Sequence, residues 1–209
     1  DGIRDYKVTG VQTCALPISH GNERNGVHLL EHWRQVPEHL ASAGLAVELA
    51  LGNPEAIAAG RRYLERDLNR SFAPALLAEA LHQEVEVRRA RELLTIWGPQ
   101  GATPCAVALD LHSTTAAMGN SLVVYGRRPE DLGLASAVQG RLGLPVYLHE
   151  KDPSQSGYLV EQWPCGLVIE VGPVAQGVVN PAICRQTELA LATLLAVLAD
   201  ARDQEIGRA

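Results

Sequence analysis

Apolar residues recur at helical spacing over residues 26–36, where Val27, Leu30 and Trp33 line one side with Leu29 beside them. Residues 45–51 (LAVELAL) predict a strand, stopped by Gly52-Asn53-Pro54. Residues 61–72 are polar, dense in arginine and weakly periodic, which predicts a loop with a helical turn. Residues 74–97 predict one long helix, ended by Gly98-Pro99. Residues 106–112 predict a strand that turns polar at its C-terminal end. Further strands are expected at 121–125, 145–149 and 166–171, with helices at 129–143 and 180–201. Strands alternating with helices imply an α/β sandwich with a mixed, largely parallel sheet. Ligands gather at the carboxyl ends of strands in such sheets, and His112 and Glu170 both fall there.

Composition narrows the partners. A chain of 209 residues, 46% hydrophobic and 20% charged, suits a single globular core. Its net charge of −6 argues against a nucleic-acid partner, because neutralising phosphates needs a basic surface. The tract at residues 189–199 is greasy but 11 residues long. That is short of the roughly 20 a bilayer needs, so no membrane partner is expected and the tract reads as a buried helix face. Four dispersed cysteines form no CxxC pair, so reduced thiols and a cytoplasmic location are expected.

Residues 1–19 (DGIRDYKVTGVQTCALPIS) differ in character from the remainder of the chain, lack the order of a signal peptide, and resemble translated adaptor sequence. They are expected to be a foreign leader outside the fold, although residues 7–11 have strand character that would imitate a lost strand. Residues 20–209 then form the catalytic domain.

The chemistry concentrates in three motifs: His20-Gly21-Asn22-Glu23, Asp110-Leu111-His112 and Ile169-Glu170-Val171-Gly172-Pro173. A histidine and a glutamate three apart, joined by one remote histidine, form the ligand set of a catalytic zinc with one open position. Asp110 shares a strand face with His112 and is placed to orient its imidazole. Glu170, at the end of an apolar strand, is the candidate to take a proton from water. A second HxxE, His28 to Glu31, lies mid-helix and reads as structural. His32, His39 and His82 read as solvated helix residues, and His149, beside Glu150, as a lesser site candidate. The arginines of residues 61–70 on their own read as a solvated charged loop.

These motifs, with GRRYLERDLNR over residues 60–70, DLHSTTAAMG over 110–119 and Gln176-Gly177-Val178, resemble the succinylglutamate desuccinylase/aspartoacylase family. The resemblance runs from His20 to about residue 201. It implies a zinc carboxypeptidase-like three-layer sandwich that hydrolyses a small-molecule N-acyl amino acid such as N-acetyl-L-aspartate. It implies one zinc per chain on His20, Glu23 and His112, and Glu170 as general base. By the same resemblance Arg62 polarises the scissile carbonyl, and Asn69 and Arg70 grip a substrate carboxylate, with Tyr158 able to donate one hydrogen bond. Homo-oligomerisation stays open.

Two departures qualify the resemblance. Relatives carry a second carboxylate-binding arginine ten residues before the catalytic glutamate, where this chain has Val160. That leaves an aminoacylase or desuccinylase specificity open. Relatives also continue into a β-rich C-terminal domain, so a truncated chain, zinc-binding but inactive, is the remaining alternative.

Overall fold

The computed structural model describes residues 12–17, 19–40, 45–78, 81–149 and 155–206. Six strands form one sheet in the order β2-β1-β3-β6-β4-β5: β1 Gln12–Pro17, β2 Ala46–Leu49, β3 Val107–Ser113, β4 Asn120–Val124, β5 Val146–Leu148 and β6 Cys165–Val171. Every neighbouring pair is parallel except β4–β6, so the sheet is mixed and largely parallel as expected.

Strand side chains alternate between faces, and that alternation builds three layers. Leu109, Leu111, Leu167, Ile169, Leu122 and Val124 point to one side. There they pack against helices α1 (Arg24–Gln35), α5 (Pro129–Leu142) and α6 (Pro181–Ile206). Ala108 and Val168 point to the other side, against Leu93 of helix α4 (Val85–Trp97), Phe72 and Trp163. On β3 the same parity carries Asp110 and His112 to this second side, and on β6 it carries Glu170.

Residues 181–203 of α6 are long and apolar enough to cross a bilayer by length and composition. Here α6 lays Leu191, Leu194, Leu195 and Leu198 into the core.

Three expectations are corrected. Residues 12–17 do not lie outside the fold: they form β1, paired in parallel with both β2 and β3. The strand character noted at residues 7–11 lies outside the described residues. The helix expected over residues 74–97 is two helices, α3 (Pro74–Ala78) and α4. Polar side chains fix the break. Arg91 donates to the carbonyls of Leu76, Leu77 and His82, and the Glu65 carboxylate accepts the Val85 N–H at the start of α4. Periodicity does not register such distant caps. Finally, Cys105 is disulfide-bonded, while Cys165 and Cys184 are buried free thiols. Spacing in sequence carries no information on which cysteines a fold brings together.

Candidate metal and substrate site

His20 and Glu23 occupy the turn between β1 and α1, short of the first helical residue Arg24. The turn is fixed from both sides. Gly21 N–H donates to the Arg62 carbonyl, and a Cβ on Gly21 would fall 2.2 Å from the backbone of Ala56, in the short helix α2 (Pro54–Ala59). Only glycine fits there. His112 reaches the same point from the end of β3.

The two imidazoles are arranged alike. Each turns Nδ1 toward the Glu23 carboxylate, His20 at 2.6 Å from Oε1 and His112 at 3.1 Å from Oε2. Each gives Nε2 to an aspartate, His20 to Asp67 Oδ1 at 2.9 Å and His112 to Asp110 Oδ2 at 2.7 Å. The ring centroids are 4.8 Å apart. An Nε2–H held by a carboxylate fixes the tautomer that leaves the Nδ1 lone pair free for a metal. Ser113 N–H donates to Glu23 Oε2, and the Ser19 hydroxyl donates to Asp110 Oδ2.

His20, Glu23 and His112 are buried, and their ligand atoms lie within 4.8 Å of one another. The donor set fits a divalent transition metal: two neutral imidazoles, one carboxylate, and two further carboxylates behind the rings. The electrostatics agree. Burial alone would depress both histidines, yet Asp67 and Glu23 raise His20, and Asp110 and Glu23 raise His112 well above its ordinary value. Burial likewise pushes Glu23 up, but the two imidazoles hold it far below the usual carboxylate range. Three carboxylates around two buried rings make a site that favours a cation.

Sequence reasoning misses Asp67. It joins the two halves of the site, because its second oxygen accepts from Arg62 Nη2 at 3.2 Å. Burial opposes its charge, but His20 and Arg62 win and hold it at about 2. The only signal for it is an acidic residue in an arginine-rich loop, which sequence alone reads as solvated. Arg62 itself is exposed, with Nη1 3.7 Å from Glu23 Oε1.

The loop carrying Arg62 and Asp67 is hung on a residue outside the recognised motifs. Glu86 of α4 is fully buried, and its carboxylate accepts the N–H groups of Leu64 (2.6 Å), Glu65 (3.2 Å) and Arg66 (3.1 Å). Asn53 Nδ2 donates to it as well while Asn53 Oδ1 caps α2. Burial would raise Glu86, but the Leu64 and Arg66 backbone donors and Asn53 lower it overall.

Glu170 is the register partner of His112, on the same sheet face, and burial raises its pKa. Arg70 is exposed, has no carboxylate partner among the described residues, and lies with its guanidinium carbon 5.1 Å from the Tyr158 ring centroid. Asn69 is buried, and its Oδ1 accepts the Leu159 N–H. The Tyr158 hydroxyl contacts His149 Nε2 at 2.9 Å and donates to Gln155 Oε1, and its ring stacks on Tyr125. His149 therefore enters this network through Tyr158, while Glu150 lies outside the described residues.

Val160 requires correction as a specificity position. It is fully buried in the core with Leu68, Phe72 and Trp163, and its carbonyl accepts from Arg128. A side chain here packs the interior, and counting residues back from Glu170 misplaces it. Tyr158, two residues earlier and beside Arg70, is the position that borders the arginine loop.

This architecture is the zinc carboxypeptidase-like three-layer sandwich. Residues 18–198 match the family described as succinylglutamate desuccinylase/aspartoacylase catalytic domain, and the chain belongs to that family. It is 62% identical over 184 residues to the "Probable aspartoacylase" of Parasynechococcus marenigrum (strain WH8102), covering 88% of this chain and 60% of that protein. It is 57% identical to the "Probable aspartoacylase" of Synechococcus sp. (strain CC9605), covering 95% of this chain and 66% of the relative. The chain thus spans less than two thirds of the length of these relatives. Murine aminoacylase 3 superposes with a TM-score of 0.82 at 30% identity, over 95% of this chain and 67% of that one. The succinylglutamate desuccinylase from Chromobacterium violaceum shares the fold, with a TM-score of 0.70 at 20% identity over 94% of this chain and 63% of that one.

Proposed function

We propose that this chain is the catalytic domain of a zinc-dependent amidohydrolase that removes the acyl group from an N-acyl amino acid. One observation carries the reading: two buried imidazoles present Nδ1 to a shared glutamate, their Nε2 atoms held by Asp67 and Asp110. His20, Glu23 and His112 would hold the ion. A zinc ion in such a site supplies a Lewis acid that makes hydroxide available near neutral pH.

The remaining work falls to side chains. Glu170, beside His112 on the same face, takes the proton from the attacking water and returns it to the amide nitrogen as the C–N bond breaks. Burial raises its pKa above that of a free carboxylate, which strengthens it as a base. Arg62, exposed beside Glu23, donates to the carbonyl oxygen as negative charge develops there. The Asp67 carboxylate holds its guanidinium in place. Arg70 pairs with the substrate carboxylate, for which a planar guanidinium supplies two parallel donors. The products are a carboxylate and a free amino acid.

N-Acetyl-aspartate is the first substrate to try, from the names of the cyanobacterial relatives. The likeness to murine aminoacylase 3, and a tyrosine rather than a second arginine beside Arg70, favour including less acidic amino acids. The test is a panel of N-acetyl and N-succinyl amino acids with the zinc-loaded chain and its Glu170→Gln variant. Hydrolysis by the parent, reduced about 10²–10⁴-fold in a variant that keeps its zinc, is the expected result. Full activity in Glu170→Gln, or a zinc-loaded parent that hydrolyses none of the panel, would overturn the reading.

A further inference from the structure

On the opposite side of the sheet, three side chains from three elements converge. They are His32 from α1, His39 from the 3₁₀ turn Pro37–Leu40 and Glu188 from α6. We infer that they form a second, surface binding site for a divalent transition metal, separate from the one formed by His20, Glu23 and His112.

The geometry is that of a ligand set. The ligand atoms lie within 4.8 Å of one another. His32 Nε2 and His39 Nδ1 are 3.3 Å apart with the rings tilted by 58°. The two nitrogens are close enough to share a hydrogen bond. The same separation matches two imidazoles sharing a tetrahedral ion, because metal–nitrogen bonds of about 2.0–2.1 Å set the nitrogens roughly 3.3 Å apart. The third ligand is held ready: the indole N–H of buried Trp33 donates to Glu188 Oε1 at 3.3 Å. Such a contact orients a metal-binding carboxylate from behind.

The backbone explains why the histidines meet. Helix α1 ends where the Val36 N–H closes onto the His32 carbonyl, and Pro37 cannot continue it. The following turn bonds His39 N–H to the Val36 carbonyl, which folds His39 back over His32. Glu188 arrives from α6 because Leu29 and Trp33 of α1 share a core with Leu191 and Leu195. A borderline ion such as zinc, nickel or copper suits two imidazoles and a carboxylate. Bound there, it ties the end of α1, the helix that starts directly after Glu23, to α6.

The test is calorimetric titration of the metal-stripped full chain with zinc chloride. Two binding events are expected, with a rise in Tm as the second site fills. His39→Ala, at an exposed position, and Glu188→Gln should each leave one event. His112→Ala should remove the other event and keep the surface one, so the two sites fail independently. Zinc binding by the parent that is untouched by both His39→Ala and Glu188→Gln would overturn the inference, whereas a single event lost in those variants would count against the buried site alone.

Discussion

The two halves of the candidate metal site are chemically alike and built in opposite ways. The His112 half is a strand: Asp110 stands two residues before its histidine, on the same face, with no loop between them. The His20 half is assembled from pieces far apart in the chain. Its aspartate, Asp67, comes 47 residues later and sits on a loop held by Glu86 of α4. Regular secondary structure delivers an oriented ligand at no extra cost. A loop delivers one only when a buried charge gathers its backbone.

Four substitutions probe that contrast, in decreasing order of effect. Glu23 joins both halves, so Glu23→Ala should abolish zinc retention and turnover together, read by elemental analysis and a deacylation assay. Next come the two aspartates. Asp67→Asn and Asp110→Asn should each weaken zinc binding by roughly 10–100-fold, the usual cost of losing a carboxylate behind a histidine ligand. Asp67→Asn should go further and lower kcat/KM at saturating zinc, because it also releases Arg62. Equal kinetic losses at saturating zinc would show that Asp67 does not couple His20 to Arg62.

Glu86→Gln should have the smallest effect, and a one-sided one. Removing the charge from a buried carboxylate that accepts three backbone donors should cost about 1–3 kcal/mol of stability. Amide exchange should accelerate at residues 64–66 and stay slow along β3. The pH dependence has a definite sign. The folded-state pKa of Glu86 is depressed, so its stabilisation is present above the unfolded value of about 4.3 and is lost as pH falls through the folded value. Wild type should therefore lose more stability than Glu86→Gln over that acid range. Parallel acid profiles would show that the Glu86 charge does not hold the loop.

The same contrast explains what the sequence reveals. Asp110, His112 and Glu170 are legible because period-two alternation and strand ends are local properties, and the sheet keeps them together. His20 and Glu23 are legible as a spacing. Asp67 and Glu86 are not, since one sits in a loop that reads as solvated and the other in a helix that reads as ordinary surface. Their roles appear only when α4 is packed against residues 64–66. Val160 shows the opposite error. A fixed offset from Glu170 takes no account of the 3₁₀ turn Leu159–Gln162, which buries Val160 and brings Tyr158 to Arg70. The two-helix break at α3 and α4 is hidden for a related reason, as the caps that end and start those helices come from Arg91 and Glu65.

The most direct test of the buried metal site is zinc content per folded chain in the His39→Ala background, where only that site is counted. One zinc per chain is expected after dialysis, and none once Glu23→Ala is added with the fold retained. A folded chain without zinc, or zinc that survives Glu23→Ala, would contradict the assignment of His20, Glu23 and His112 as its ligands.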